Sequence, residues 1–130
     1  MLSDFGCVPT LAVTDLQRAR DFYEGILGFT QTGDAPDGVV NSSGSTSFLV
    51  YPSEFAGTNK ATAMGWQVPA VSFDAEVQAL REKGVAFQTF EMDGIIWRDG
   101  VAAFGEEFRA VWFEDPDGNI LNVETDPEVG

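Results

Sequence analysis

Few side chains in this sequence are equipped for chemistry, and the shortage is informative. There is no histidine, so the commonest metal ligand and the commonest general base are both missing. Cys7 is the single cysteine, which excludes an internal disulfide and a thiolate metal cluster. With no histidine to activate it, Cys7 reads as a small buried apolar residue near a first strand. Carboxylates, amides and indoles remain. Trp97 has Glu91, Asp93, Asp99, Glu106 and Glu107 around it, and Trp112 stands before an Asp115-Pro116-Asp117-Gly118-Asn119 turn with Asn122 and Glu124 after it. Indole faces beside acids suit stacking on a flat molecule and attraction of a cation. No acid-base pair is evident, so the catalytic residues are unassigned, and Glu124 or a carboxylate near Trp97 is the candidate for a lone general base.

The overall charge narrows the partners further. Acids outnumber bases 21 to 7, for a net charge of −14, which repels phosphate backbones and anionic lipid and so excludes nucleic acid and membrane surfaces. The start, MLSDFGCVPT, lacks a basic segment and an apolar signal core, and no apolar run approaches the roughly 18 residues of a membrane span. A cytoplasmic protein is expected.

The elements that must position these residues can be read in order. Residues 7–13, CVPTLAV, form a short strand. Asp15 caps a helix in which Leu16, Ala19, Phe22, Tyr23 and Ile26 recur at helical spacing, and Gly28 stops it in the left-handed region. Polar, glycine-rich sequence from Thr30 to Gly38 leads to a strand near Val39–Asn41, a turn at Ser42–Ser45 and a strand from Thr46 to Tyr51. Pro52 to Lys60 is a loop and the natural internal boundary. The order then repeats: a strand from Thr62 to Ala70, a helix capped by Ser72 with Ala75, Val77, Leu80 and Lys83 at helical spacing, a stop at Gly84, and a strand from Val85 to Phe90. Residues 91–105 form a long irregular stretch around Trp97, either a lid or an anchored surface loop. Phe108–Glu114 and Ile120–Glu124 close the chain as a hairpin in which Pro116 presets one turn position and Gly118 and Asn119 tolerate positive φ. The repeat of about 60 residues predicts a duplicated βαβββ module within one domain spanning 1–130, module one at about 5–58 and module two at about 60–126.

The combination TLAVTDLQRARDFYEGILGFT near the start and VWFEDPDGNILNVE near the end resembles the glyoxalase/bleomycin-resistance/dioxygenase, or vicinal-oxygen-chelate, superfamily over about residues 7 to 125. The resemblance implies an α+β fold whose two βαβββ modules form a curled mixed sheet around a cavity, usually in a homodimer. In metal-dependent members it also implies His, Gln or Glu ligands at set strand positions. Counting back from the helix caps Asp15 and Ser72 places those positions at Val8 and Gly65, and the late Glu position falls on Asn122. None is a good donor for Fe, Zn or Ni. Gln67 and Glu124 are the remaining strand oxygen donors, two groups rather than three or four. No metal and no other cofactor is therefore expected.

Strand alternation from these positions turns Val8, Thr10 and Ala12 inward from the first strand, Gly65 and Gln67 from the second module's first, and Ala110, Trp112, Ile120, Asn122 and Glu124 from the hairpin. Trp66 then faces a helix. Phe48 or Tyr51 adds a wall, on opposite faces of one strand. The expected ligand-binding set is Val8, Thr10, Phe48, Gln67, Trp97, Trp112, Ile120, Asn122 and Glu124. The function expected is metal-free binding of a small hydrophobic or cationic molecule, such as sequestration of an antibiotic-like compound, in a homodimer. The alternatives are a divalent-metal lyase, glyoxalase or dioxygenase with unorthodox ligands, and a structural or regulatory dimer with a vestigial cavity.

Overall fold

The computed structural model describes residues 1–105 and 107–126, and Glu106 and residues 127–130 lie outside them. The fold is α+β, two βαβββ modules in two mixed sheets with few helices, and it divides into two compact units. The first comprises Met1–Lys60 with Asp115–Asn119, and the second Ala61–Glu114 with Ile120–Gly130. No helix among the described residues is long and apolar enough to cross a membrane.

After a short 3-10 turn at Leu2–Asp4, the first unit runs through β1 (Thr10–Val13), α1 (Leu16–Arg20) and a π-helical continuation from Asp21 to Ile26. The Asp15 carboxylate accepts from the Arg18 amide at 3.1 Å and satisfies one of the first-turn donors. Leu27 N–H reaches back five residues to the Phe22 carbonyl at 2.9 Å. Ala19, Phe22 and Tyr23 are buried, and Gly28, at φ 82°, ends the segment. Three antiparallel strands follow, β2 (Thr30–Ala35), β3 (Gly38–Ser43) and β4 (Thr46–Pro52), and β1 pairs in parallel with β4 to give the order β1-β4-β3-β2. Leu11, Val13, Val39, Phe48 and Val50 are buried among its strands. The polar segment from Thr30 is thus an edge strand, with a bulge between Gln31 and Gly33. Its sequence carries no alternating apolar signal because its side chains stay largely in solvent.

The second unit repeats the plan with one strand more. β5 (Thr62–Pro69) runs directly into α2 (Ala70–Glu82), which buries Phe73 and Val77. Pro69 occupies the cap position without a side-chain bond, and Ser72 lies inside the first turn rather than capping it. The fixed φ of proline suits a helix entry without a capping oxygen. Gly84, at φ 83°, stops the helix as its sequence context predicts. Residues 85–90 are not a strand; Gln88 makes a lone bridge with Trp112. The segment 91–105 is ordered instead as a hairpin, β6 (Ile96–Arg98) and β7 (Val101–Phe104), turning at Asp99 (φ 49°) and Gly100 (φ 78°). Two positive φ values at an Asp-Gly pair make a tight turn matched to strand twist. β8 (Phe108–Glu114) and β9 (Ile120–Asp126) complete the order β5-β9-β8-β7-β6, with β5 parallel to β9. Val111, Phe113, Leu121 and Val123 are buried on one face, and Trp66 pairs with Val123 on that same face.

Candidate ligand-binding site

The turn between β8 and β9 belongs to the first unit, and its chemistry is structural. Asp115 is buried, and its Oδ1 accepts from the Asp117 and Asn119 amides, each at 2.9 Å. Its Oδ2 accepts from Asn119 Nδ2 at 2.7 Å and from the Tyr23 hydroxyl at 2.8 Å. Asn119 Nδ2 also donates to the Ala12 carbonyl at 2.8 Å. Asp117 Oδ1 takes the Thr14 hydroxyl at 2.6 Å and Arg18 Nη2 at 3.0 Å. Burial, the charge of Asp115 and the hydrogen bond to it, in that order of size, push the Tyr23 phenol well above its usual range. Tyr23 therefore stays protonated and acts as a donor, not a base.

The face of the second sheet that does not carry the buried Val111, Leu121 and Val123 gathers most of the expected site. Across the strands, Gln67 lies opposite Glu124, Glu124 opposite Ala110, Ala110 opposite Ala102, and Ala102 opposite Trp97. In the adjacent row Gly65 lies opposite Asn122 and Asn122 opposite Trp112. Ile120 follows between Thr62 and Glu114. Residues paired in register point to the same side, so Gln67, Trp97, Trp112, Ile120, Asn122 and Glu124 share one face.

Three aromatic rings make a cluster there. Phe90 meets Trp97 at 5.3 Å and Trp112 at 4.9 Å between ring centroids, both edge-on, and the two indoles are 6.2 Å apart. Each indole N–H is satisfied: Trp97 Nε1 donates to the Phe90 carbonyl at 3.0 Å and Trp112 Nε1 to the Thr62 hydroxyl at 3.2 Å. These bonds orient both rings. Beside the cluster, Phe90, Glu91, Met92, Asp93, Ile95 and Trp97 line a pocket of about 560 Å³, within the usual range for small-molecule sites. Phe90, 42% exposed, and Met92, 59% exposed, offer apolar surface to it, and Glu91 and Asp93 add negative charge. Phe90 is the site residue that sequence reasoning misses. It ends a segment that reads as an ordinary strand, and only the bridge from Gln88 to Trp112 brings that segment beside the indoles.

The other expected residues lie in the first unit. Thr10 opens β1 and is exposed, opposite Leu49. Val8, which precedes the strand, is 52% exposed. Phe48 is a correction: it is 1% exposed, packed edge-on against Tyr23 at 5.6 Å and Phe29 at 5.2 Å, so it belongs to the core. The half-buried Tyr51, three positions on and opposite Ala12, takes the other face. Cys7 is exposed rather than buried, because it precedes β1 instead of lying in it.

A metal ion fits these residues poorly. Among the described residues no three His, Cys, Asp or Glu side chains are grouped so that they could hold a metal ion. At the pair Gly65 and Asn122, the Asn122 amide oxygen occupies the space that a β-carbon on residue 65 would need. The glycine thus makes room for the amide, which is a neutral and weak donor. Gln67 and Glu124 are adjacent in register but amount to two donors.

The glyoxalase/bleomycin resistance protein/dioxygenase superfamily model matches residues 7–123. The chain belongs to that superfamily. Solved structures agree on the fold of this superfamily member. A fosfomycin resistance protein, FosX, from Listeria monocytogenes matches with a TM-score of 0.69 at 14% identity, covering 94% of this chain and 93% of its own. A lactoylglutathione lyase from Agrobacterium tumefaciens matches with a TM-score of 0.68 at 15% identity over 96% of each chain. A glyoxalase/bleomycin resistance protein/dioxygenase from Alicyclobacillus acidocaldarius matches with a TM-score of 0.65 at 21% identity, over 92% of this chain and 91% of its own. No curated protein sequence matches the chain.

Proposed function

We propose that this superfamily member binds a small hydrophobic, cationic molecule of the antibiotic-like kind without a metal, at the aromatic face of its second unit. The observation that carries this reading is the Phe90–Trp97–Trp112 cluster beside a pocket holding Glu91 and Asp93. Rings already held by their own N–H bonds lose little freedom when a flat ligand stacks on them. Their electron-rich faces and the neighbouring carboxylates both favour positive charge. Sequestration requires affinity alone, which suits a face with no evident acid-base pair. The superfamily resemblance supports a homodimer as the working assembly, and sedimentation at several concentrations tests that part.

Titration with a panel of hydrophobic cationic antibiotics, followed by tryptophan fluorescence, tests the reading. Saturable quenching that diminishes in Trp97→Phe and Trp112→Phe is the expected result. A folded protein whose emission is unchanged by every compound would overturn it. A divalent-metal lyase, glyoxalase or dioxygenase is the competing reading, and its best support is the adjacent pair Gln67 and Glu124. It requires stoichiometric metal in protein purified without chelators, or after soaking with Ni, Zn, Mn and Fe(II).

A further inference from the structure

The opposite face of the β6–β7–β8 segment carries a second pocket of different chemistry. Ile96 lies opposite Ala103, Ala103 opposite Arg109, and Arg98 opposite Val101, so these five side chains share a side. With Asp74 of α2 they line a pocket of about 390 Å³. Ile96, Val101 and Ala103 supply apolar wall, and Ile96 is 59% exposed. Two of the seven basic residues in a chain of net charge −14 meet here.

The two guanidinium groups are prepared differently. Arg109 lies over the ring of the buried Phe73, 4.7 Å from its centroid, which holds the plane of the fork in place. Its Nη1 bonds Asp74 Oδ1 at 2.6 Å, but the Asp74 side chain is 82% exposed. A solvated carboxylate of that kind is readily displaced, since water offsets the loss of a surface ion pair. Arg98, also exposed, makes no ion pair among the described residues.

We propose that this pocket binds a small carboxylate with a short apolar tail. The carboxylate would replace Asp74 on the Arg109 fork and take its second partner from Arg98. The tail would lie along Ile96, Val101 and Ala103. Forked, planar donors match a carboxylate's two oxygens, and two guanidinium groups lining one pocket favour an anion there in a chain whose net charge is −14. The site is separate from the aromatic face and calls for the opposite ligand charge.

Octanoate is the probe, with octylammonium as the control of equal tail and opposite charge. Backbone amide shifts of Asp74, Gly105 and Arg109, which line this pocket and not the aromatic one, report binding in the full chain. Octanoate is expected to shift them saturably, and octylammonium to leave them unchanged. Arg98→Gln, at an exposed residue without an ion pair, should keep the fold and weaken octanoate by about tenfold, the usual scale for one charge-assisted contact. Asp74→Asn should tighten it by about threefold by removing the competitor. Absence of saturable shifts up to about 10 mM, well above a millimolar site, would overturn the proposal. So would shifts that survive Arg98→Gln unchanged, or that octylammonium reproduces.

Discussion

In the first unit the strand that opens the module, β1, pairs in parallel with the strand that closes it, β4; in the second unit β5 does the same with β9. The meanders between them then diverge, because the second runs one strand further, to β6. The faces diverge as well. The first sheet aligns Thr10 with Leu49 and Val40, and Ala12 with Tyr51, residues that are small or aliphatic apart from the tyrosine. The second sheet presents two indoles, an amide pair and a carboxylate on its open face. The first unit concentrates its polar chemistry in the buried network around Asp115, where both Asp115 oxygens, Asn119 and Tyr23 have structural partners and Asp117 Oδ2 has none. One topology therefore carries a buried hydrogen-bonded network in one copy and an aromatic cluster in the other, and the added strand, which bears Trp97, accounts for the difference.

The largest expected effect tests the first half of that contrast. Asp115→Ala removes the acceptor for four donors, two of them on the buried Asn119 and one on the buried Tyr23, and should cost at least about 3 kcal/mol. Urea unfolding would measure it; a loss under about 1 kcal/mol would mean that the network is not what stabilises this unit.

Next in size is Gly65→Ala in the second unit. The added β-carbon meets the Asn122 amide oxygen, and overpacking of this kind costs about 1–3 kcal/mol. Pairing it with Asn122→Ala should recover most of the loss, and additive single and double variants in thermal unfolding would refute the contact.

The protonated Tyr23 predicts a pH signature. Its folded pKa is raised, so above about pH 10 the unfolded chain ionises first and binds fewer protons than the folded one. This contribution to stability is fully present below that pH and falls above it by about 1.4 kcal/mol per pH unit. Tyr23→Phe should flatten that part of the denaturation profile, while leaving Asp115 Oδ2 with Asn119 alone. An unchanged slope in the variant would assign the alkaline loss to other groups.

The smallest effect belongs to recognition. Trp97→Ala should weaken a cationic aromatic ligand by about tenfold, near the scale of one aromatic contact, while leaving urea stability within about 1 kcal/mol because the ring is partly exposed. Titration and unfolding on the same sample would separate the two, and a large stability loss with unchanged binding would reverse the roles assigned to the units.

The parts of this fold that are legible in sequence are those with strong local chemistry. Asp115 and Gly118 announce the late turn, Gly28 and Gly84 announce the helix ends, and alternation across the hairpin aligns Trp112 with Asn122. The rest is hidden for physical causes. β2 is polar because little of it is buried, and a bulge breaks its period. Residues 85–90 are apolar enough for a strand yet pair only at Gln88, since β7 occupies the ladder beside β8. The Asp99-Gly100 pair is a hairpin signal flanked by two short apolar runs, masked by the acids around it. Phe48 and Tyr51 are open to either face until the packing of Tyr23 and Phe29 against Phe48 decides it. The outer pocket is not legible at all, because Arg98 and Arg109 meet only once β7 is inserted between their strands.

The three residues of β6 serve two surfaces of the second unit at once. Successive side chains on a strand alternate, so Trp97 is committed to one surface and Ile96 and Arg98 to the other. A slip of one residue against β7 would exchange them, placing a cation among the aromatic rings and an indole in the basic pocket. The left-handed backbone at Asp99 and Gly100, with Arg81 of α2 donating to the Asp99 carbonyl, sets the register. Both surfaces are thereby indexed by a single two-residue turn, and a change in its length would exchange the side chains that the two surfaces present.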